Sequence, residues 1–383
     1  VPDVFDEMHR RCRAGEQVAL ATVVDTWRSA PQPPGAALLV AADGTVTGSV
    51  SGGCVEADLY ERARHVLHTG QPELIHYGVS DDDAYAVGLI CGGMLDVYVE
   101  RLDHTDLAAL DTVAAARQAG DPAAIVTCVA VDADDTLGAA PSDPARRLGR
   151  RLALTGQRVT GSLGDERLDD AATADALGLL TAGHSGVLRY GHQGQRRGVG
   201  LSLFVTAYVA APRMIVFGAI DFAAAVARIG AFLGYRVTVC DARPVFATSR
   251  RFPEAHEVVV QWPHRYLRAE VDTGRVDSRT VVCVLTHDPK FDVPLLALAL
   301  RQPLAYVGAM GSRRTHDERH KLLREAGLDA EQLDRLASPI GLDLGGRTPE
   351  ETAVSVAAQI VAARWGGSGR PLSALGGPIH HPG

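Results

Sequence analysis

The sequence predicts an α/β protein. An N-terminal α+β domain with short strands occupies residues 1–211, a Rossmann-like, doubly wound parallel-sheet domain occupies 212–367, and a disordered tail follows over 368–383. Three observations predict this. From Arg213 onward, short apolar runs alternate with helical stretches, the pattern of a parallel sheet with crossover helices. Before that point the strands are short and punctuated by glycine turns, and one pair closes at Asp43-Gly44. Pro212 separates the two textures, and 383 residues suit two domains better than one.

Taken in order, Asp3 to Ala14 carries Val4, Met8 and Cys12 on one face and ends at Gly15, which predicts an amphipathic helix. Val18 to Thr26 is a strand, and a proline-stiffened loop over 29–35 follows because proline cannot join a ladder. A hairpin over 36–50 leads through a glycine turn into a helix over 55–69, stopped by Gly70 and Pro72. Strands are predicted at 73–77, 94–100 and 123–131, with an alanine-rich helix over 104–118. Residues 132–195 are rich in Gly, Asp and Arg and yield only a helical stretch near 171–180. Val199 to Val209 alternates as a half-buried strand should. In the second domain, strands are read at 214–217, 235–240, 256–260, 280–285 and 304–307, with helices over 221–233 and 315–326. The last helix has a full start signal: Thr348 as N-cap, Pro349 at the first position and Glu351 closing a capping box.

Composition narrows function. Hydrophobic residues make up 46% of the chain, enough for full cores, and the net charge of −8 argues against nucleic acid or an anionic membrane as partner. No apolar run reaches the roughly 20 residues of a membrane helix. The opening residues lack a basic segment followed by an apolar one, and six scattered cysteines fit a reducing compartment, so the expectation is cytoplasmic. No paired Cys/His spacing suggests a metal.

Chemistry concentrates at two kinds of turn. Gly48-Ser49-Val50-Ser51-Gly52-Gly53-Cys54-Val55-Glu56 brings a strand into a helix with a cysteine near the first turn. Free amides and the helix dipole there lower a thiol pKa and can hold an anion, which makes Cys54 the candidate catalytic thiol. A buried cysteine beside a tight turn is the alternative. Cys91-Gly92-Gly93 is a second such turn. In the second domain, Gly218 after the first strand and Asp241 after the second have dinucleotide spacing, but Ile220 stands where the fingerprint needs its second glycine. An NAD(P) site is therefore expected to be weak. Asp241-Ala242-Arg243, Thr286-His287-Asp288 and Gly311-Ser312-Arg313 should gather at the carboxyl edge of the sheet, the usual ligand edge.

These motifs, with Pro339-Ile340-Gly341-Leu342-Asp343, resemble the XdhC/CoxI family of accessory factors of xanthine dehydrogenase and carbon monoxide dehydrogenase. The resemblance spans both domains and leaves 132–198 largely unmatched. It implies a protein that transiently binds the molybdenum cofactor (molybdopterin), assists its sulfuration and delivers it to a molybdenum hydroxylase apo-enzyme. A cysteine desulfurase is an implied further partner, and a homodimer the implied assembly. The cofactor-binding residues it implies are Ser51, Gly52, Gly53, Cys54, Glu56, Cys91, Gly92, Gly93, Gly218, Asp241, Arg243, Thr286, His287, Asp288, Gly311, Ser312 and Arg313. The family's Gly-Ala-Gly-His is here Gly218-Ala219-Ile220-Asp221, a departure at the first Rossmann turn. The alternative function is an NAD(P)-dependent oxidoreductase built on the second domain.

Overall fold

The computed structural model describes residues 3–27, 30–78, 93–132, 147–156, 158–196, 198, 200–286, 288–376 and 379. The chain divides into two compact units, Val1–Ala210 and Ala211–Gly376.

The first unit opens with α1 (Val4–Arg13), then β1 (Val18–Trp27), β2 (Ala37–Ala41), β3 (Val46–Gly48), α2 (Glu56–Thr69), β4 (Glu73–Tyr77) and β5 (Met94–Leu102). These strands make an antiparallel sheet in the order β3-β2-β1-β5-β4. A 3-10 turn (His104–Asp106) and α3 (Leu107–Ala119) lead to β6 (Ala123–Val131), β7 (Arg151–Thr155), β8 (Arg158–Gly161), α4 (Glu166–Ala182), β9 (Gly186–Tyr190) and β10 (Leu201–Tyr208). The second sheet has the order β8-β7-β6-β10-β9. Strand alternation sorts the faces. Ala19, Ala21 and Val23 of β1 pack with Leu59, Ala63 and Val66 of α2. Leu20, Thr22 and Val24 turn instead toward Ile125, Thr127, Val129 and Phe204 of the second sheet. α4 covers that sheet's other face through Leu168, Ala172 and Ala176.

The two sheets are copies of one design: three strands, a helix, two strands, in the same spatial order. The copies agree in detail at an offset of 113 residues (48 to 161). Ser49 Oγ and the Val50 amide donate to Glu56 at 2.6 and 3.2 Å; Ser162 Oγ and the Leu163 amide donate to Asp169 at 2.6 and 2.7 Å. Gly48 and Gly161 both have φ of 91°. A Cβ at either would press to 2.2 or 2.5 Å from the carbonyl oxygen of Ala37 or Arg151, so only glycine fits. The strands β7, β8 and β9 fall in the stretch that the sequence left unread.

The second unit is doubly wound. It comprises β11 (Arg213–Phe217), α5 (Asp221–Phe232), β12 (Arg236–Asp241), β13 (Glu257–Val260), α6 (Pro263–Asp272), β14 (Val281–Val284), α7 (Pro289–Leu300), β15 (Tyr306–Ala309), α8 (Arg313–Glu325), α9 (Ala330–Asp334), β16 (Leu336–Ala337) and α10 (Pro349–Trp365). All six strands pair parallel in the order β13-β12-β11-β14-β15-β16. Met214 to Phe217 are buried throughout, as strands covered on both faces should be. α5 and α10 pack on one face, α6, α7 and α8 on the other. Thr348 and Glu351 form the expected capping box. Within the stretch read as a tail, Leu372–Ala374 form a 3-10 turn. No helix among the described residues is long and apolar enough to cross a membrane.

Candidate functional site

In the first unit the glycine turn is built around its own carboxylate. Glu56, the first residue of α2, accepts from Ser49 Oγ, from the amides of Val50, Ser51 and Gly53, and from Ser51 Oγ. Ser51 Oγ accepts in turn from the Cys54 and Val55 amides, at 2.9 and 3.1 Å. Burial opposes the charge on Glu56, but the Ser49 and Ser51 hydroxyls and the backbone amides outweigh it and hold the carboxyl at about 2. The amides that the sequence offered to an external anion are thus committed within the chain. Cys54 lies just ahead of the helix, whose N-cap is Val55. Gly52 and Gly53 have φ of 74° and 121°, and among the described residues other than their chain neighbours nothing stands within 4 Å of where a Cβ would be. Glycine is required there by the left-handed backbone, not by crowding.

Cys54 differs from the other described cysteines. Cys12, Cys128, Cys240 and Cys283 are buried, whereas Cys54 is half-buried. Burial pushes the Cys12 thiol up to about 11 and those of Cys128, Cys240 and Cys283 up to about 12. The repeat sharpens the contrast. Its second turn keeps the glycine, the serine, the buried apolar residue and the carboxylate, but places Arg167 where the first has Cys54. The carboxylate clamp is therefore common architecture, and the Gly-Gly-Cys is what the first copy adds to it. Gly93 is buried just before β5; Cys91 and Gly92 lie outside the described residues.

In the second unit the predicted turns do meet at one sheet edge, because β12, β11, β14 and β15 are parallel neighbours. Gly218, Asp241, Arg243, Thr286, Asp288, Gly311, Ser312 and Arg313 follow or end those strands; His287 lies outside the described residues. Gly218 has φ of 111°, and a Cβ there would meet Thr286 Cγ2 at 3.1 Å. Asp241, 3% exposed, accepts from the Ala219 amide at 2.7 Å and from Arg243 through its amide, Nε and Nη2. Burial works against its charge, and the Arg243 and Ala219 hydrogen bonds hold its carboxyl below the usual range. Its oxygens are occupied by turn and arginine, where a dinucleotide would need them for ribose. Ile220 is the N-cap of α5 and packs against the core. Asp288 and Ser312 cap α7 and α8, accepting from the Lys290 and Thr315 amides.

The family models complete the picture. One described as the XdhC and CoxI family matches residues 11–78 and 116–191, and one described as the XdhC Rossmann domain matches 214–360. The chain belongs to the XdhC and CoxI family. This family member is 28% identical over 352 residues to a Bacillus subtilis protein described as a probable xanthine dehydrogenase component, covering 91% of this chain and 94% of that one. It is 24% identical over 351 residues to the molybdenum cofactor insertion chaperone PaoD of Escherichia coli, covering 92% and 85%. A solved structure described as a xanthine dehydrogenase from Bacillus halodurans shares the fold, with TM-score 0.67, 23% identity and 97% of each chain covered.

Sequence reasoning missed two residues that support the XdhC edge. Asp292 and Arg319, both nearly inaccessible, lie 3.6 Å apart. Asp292 accepts from the Thr286 hydroxyl, while Arg319 donates to the Met310 carbonyl and to Ser338 Oγ at 2.9 Å each. The pair ties the turns after β14 and β15 together from below. An aspartate inside the apolar run 291–300 was the one available signal, since buried charges require partners. Among the described residues no three metal-ligating side chains cluster.

Proposed function

We propose that this protein is a cytoplasmic accessory factor that transiently binds the molybdenum cofactor, assists its sulfuration and delivers it to a xanthine dehydrogenase-type molybdenum hydroxylase. The carrying observation is Cys54: a half-buried thiol on an open glycine turn, in the one copy of a duplicated motif that has a cysteine. The relative named as a molybdenum cofactor insertion chaperone supports the reading. Cys54, with the open backbone of Gly52 and Gly53, is the contact for cofactor or sulfur. Ser51 and Glu56 hold that turn in shape. Cys91, Gly92 and Gly93 belong to the same reading as a second glycine turn.

In the second unit, Gly218, Thr286, His287, Asp288, Gly311, Ser312 and Arg313 are the ligand-edge residues, with Asp241 and Arg243 locking the first turn. A cysteine desulfurase is the sulfur-supplying partner, and the working assembly is a homodimer. The oxidoreductase alternative is weakened by the commitment of Asp241 to Ala219 and Arg243. The test is Cys54→Ala in a co-expression assay of hydroxylase activation. The variant should fold normally and lose most activation; full activation by the folded variant would remove the thiol from the function.

A further inference from the structure

In the second unit, a surface cavity of about 310 Å³ lies between α6 and α7, unused by the proposed function. Its α6 wall carries His264, Arg265, Arg268, Ala269 and Asp272, and its α7 wall Pro294 and Leu298. Ligand pockets start near this size. Arg265 and Arg268 are exposed, and among the described residues neither guanidinium has a carboxylate or other hydrogen-bond partner. On the same helix, buried Glu270 is already taken by Arg213 and Arg275 and leaves these two guanidinium groups to the cavity. The His264 ring also lines the cavity; its Nδ1 is shielded from solvent and, among the described residues, has no partner. Beside it, at the carboxyl edge of the sheet, Trp262 stacks on Phe291 at 4.7 Å, and the Lys290 ammonium lies 5.8 Å from the Phe291 ring. Asp272 is the single carboxylate in the lining and sits one helical turn beyond Arg268.

We propose that this cavity binds a small organic anion, its phosphate or carboxylate head held by Arg265 and Arg268 beside the His264 ring and its apolar body resting on Ala269, Pro294 and Leu298. Two free guanidinium forks match such a head in shape and charge. The apolar floor selects against a bare ion.

Calorimetry on the full chain at low salt tests this with phenyl phosphate, benzoate and inorganic phosphate. Phenyl phosphate or benzoate should bind with a submillimolar Kd, and the tighter of the two identifies the head group. Inorganic phosphate should bind at least tenfold more weakly. Arg265→Gln/Arg268→Gln and Ala269→Glu, all at exposed positions, should each weaken binding at least tenfold while the melting temperature holds. Absence of binding, binding unchanged in both variants, or equal affinity for inorganic phosphate would overturn the proposal. None of these readouts involves a hydroxylase, so they stand or fall separately from cofactor delivery.

Discussion

Glu56→Gln probes the turn that presents Cys54. The carboxylate sits among five donors, and the substitution keeps its size but removes the charge and turns one oxygen into a competing donor. A carboxyl held at about 2 instead of its ordinary 4.5 corresponds to at most about 3 kcal/mol. The group is partly open to solvent, which trims this to about 2 kcal/mol. Amides left facing the new NH2 lose their acceptor and add to the cost, so a destabilisation of about 2–3 kcal/mol is expected. For a unit near 200 residues that is a fall of roughly 4–10 °C in the melting transition. The sign with pH is fixed. A carboxyl whose folded pKa is depressed contributes stability above 4.5, lost as pH falls toward 2. Calorimetric melts of both proteins from pH 7 to pH 2.5 should therefore converge on acidification. A shift under about 1 °C at neutral pH, or a difference that stays constant down to pH 2.5, would refute the clamp.

Limited alkylation with peptide mapping should label Cys54 before Cys12, Cys128, Cys240 or Cys283, because burial pushes those four thiols up; earlier labelling of any of the four would contradict it. Glu100, buried between the sheets at 2.7 Å from Arg151, has its carboxyl pushed up to about 7 by burial, against the pull of Arg151 and with Asp106 adding to the rise. A raised folded pKa gives stability that is full below 4.5 and lost as pH climbs through 7, so urea melts should show this loss in the native chain and not in Glu100→Gln. Calorimetry should find NAD and NADP binding weaker than micromolar, that is less favourable than about −8 kcal/mol, and Ile220→Gly should not rescue it, because Asp241 still occupies the Ala219 amide.

The second unit was legible because its strands are short uninterrupted apolar runs divided by helices, and Thr348, Pro349 and Glu351 announce the last helix outright. The first unit was half legible. Its opening hairpin and α2 carry strong turn and cap signals, whereas β8 (Arg158–Gly161) and β9 (Gly186–Tyr190) hold few buried residues and no clean alternation. The duplication would have supplied them: Gly161-Ser162-Leu163 with Asp169 repeats Gly48-Ser49-Val50 with Glu56. At the site, residue types were readable and their duties were not. Glu56 and Asp241 stand where carboxylates near glycine turns suggest ligands, yet each closes its own backbone. Sequence carries no sign of that, because the donors lie across the fold for Asp241 and in a tight turn for Glu56. Asp292 showed only as a lone charge in an apolar run, and its partner Arg319 could not be named, because their pairing exists only once α7 and α8 pack.

Cofactor binding is the central claim, and it is tested most directly by mass spectrometry of what the purified chain retains after co-expression with the molybdenum cofactor pathway. The account predicts molybdopterin released on denaturation in substantial amount, and sharply less from Cys54→Ala. A folded wild-type protein that retains no molybdopterin, or a Cys54→Ala variant that retains as much, would contradict it.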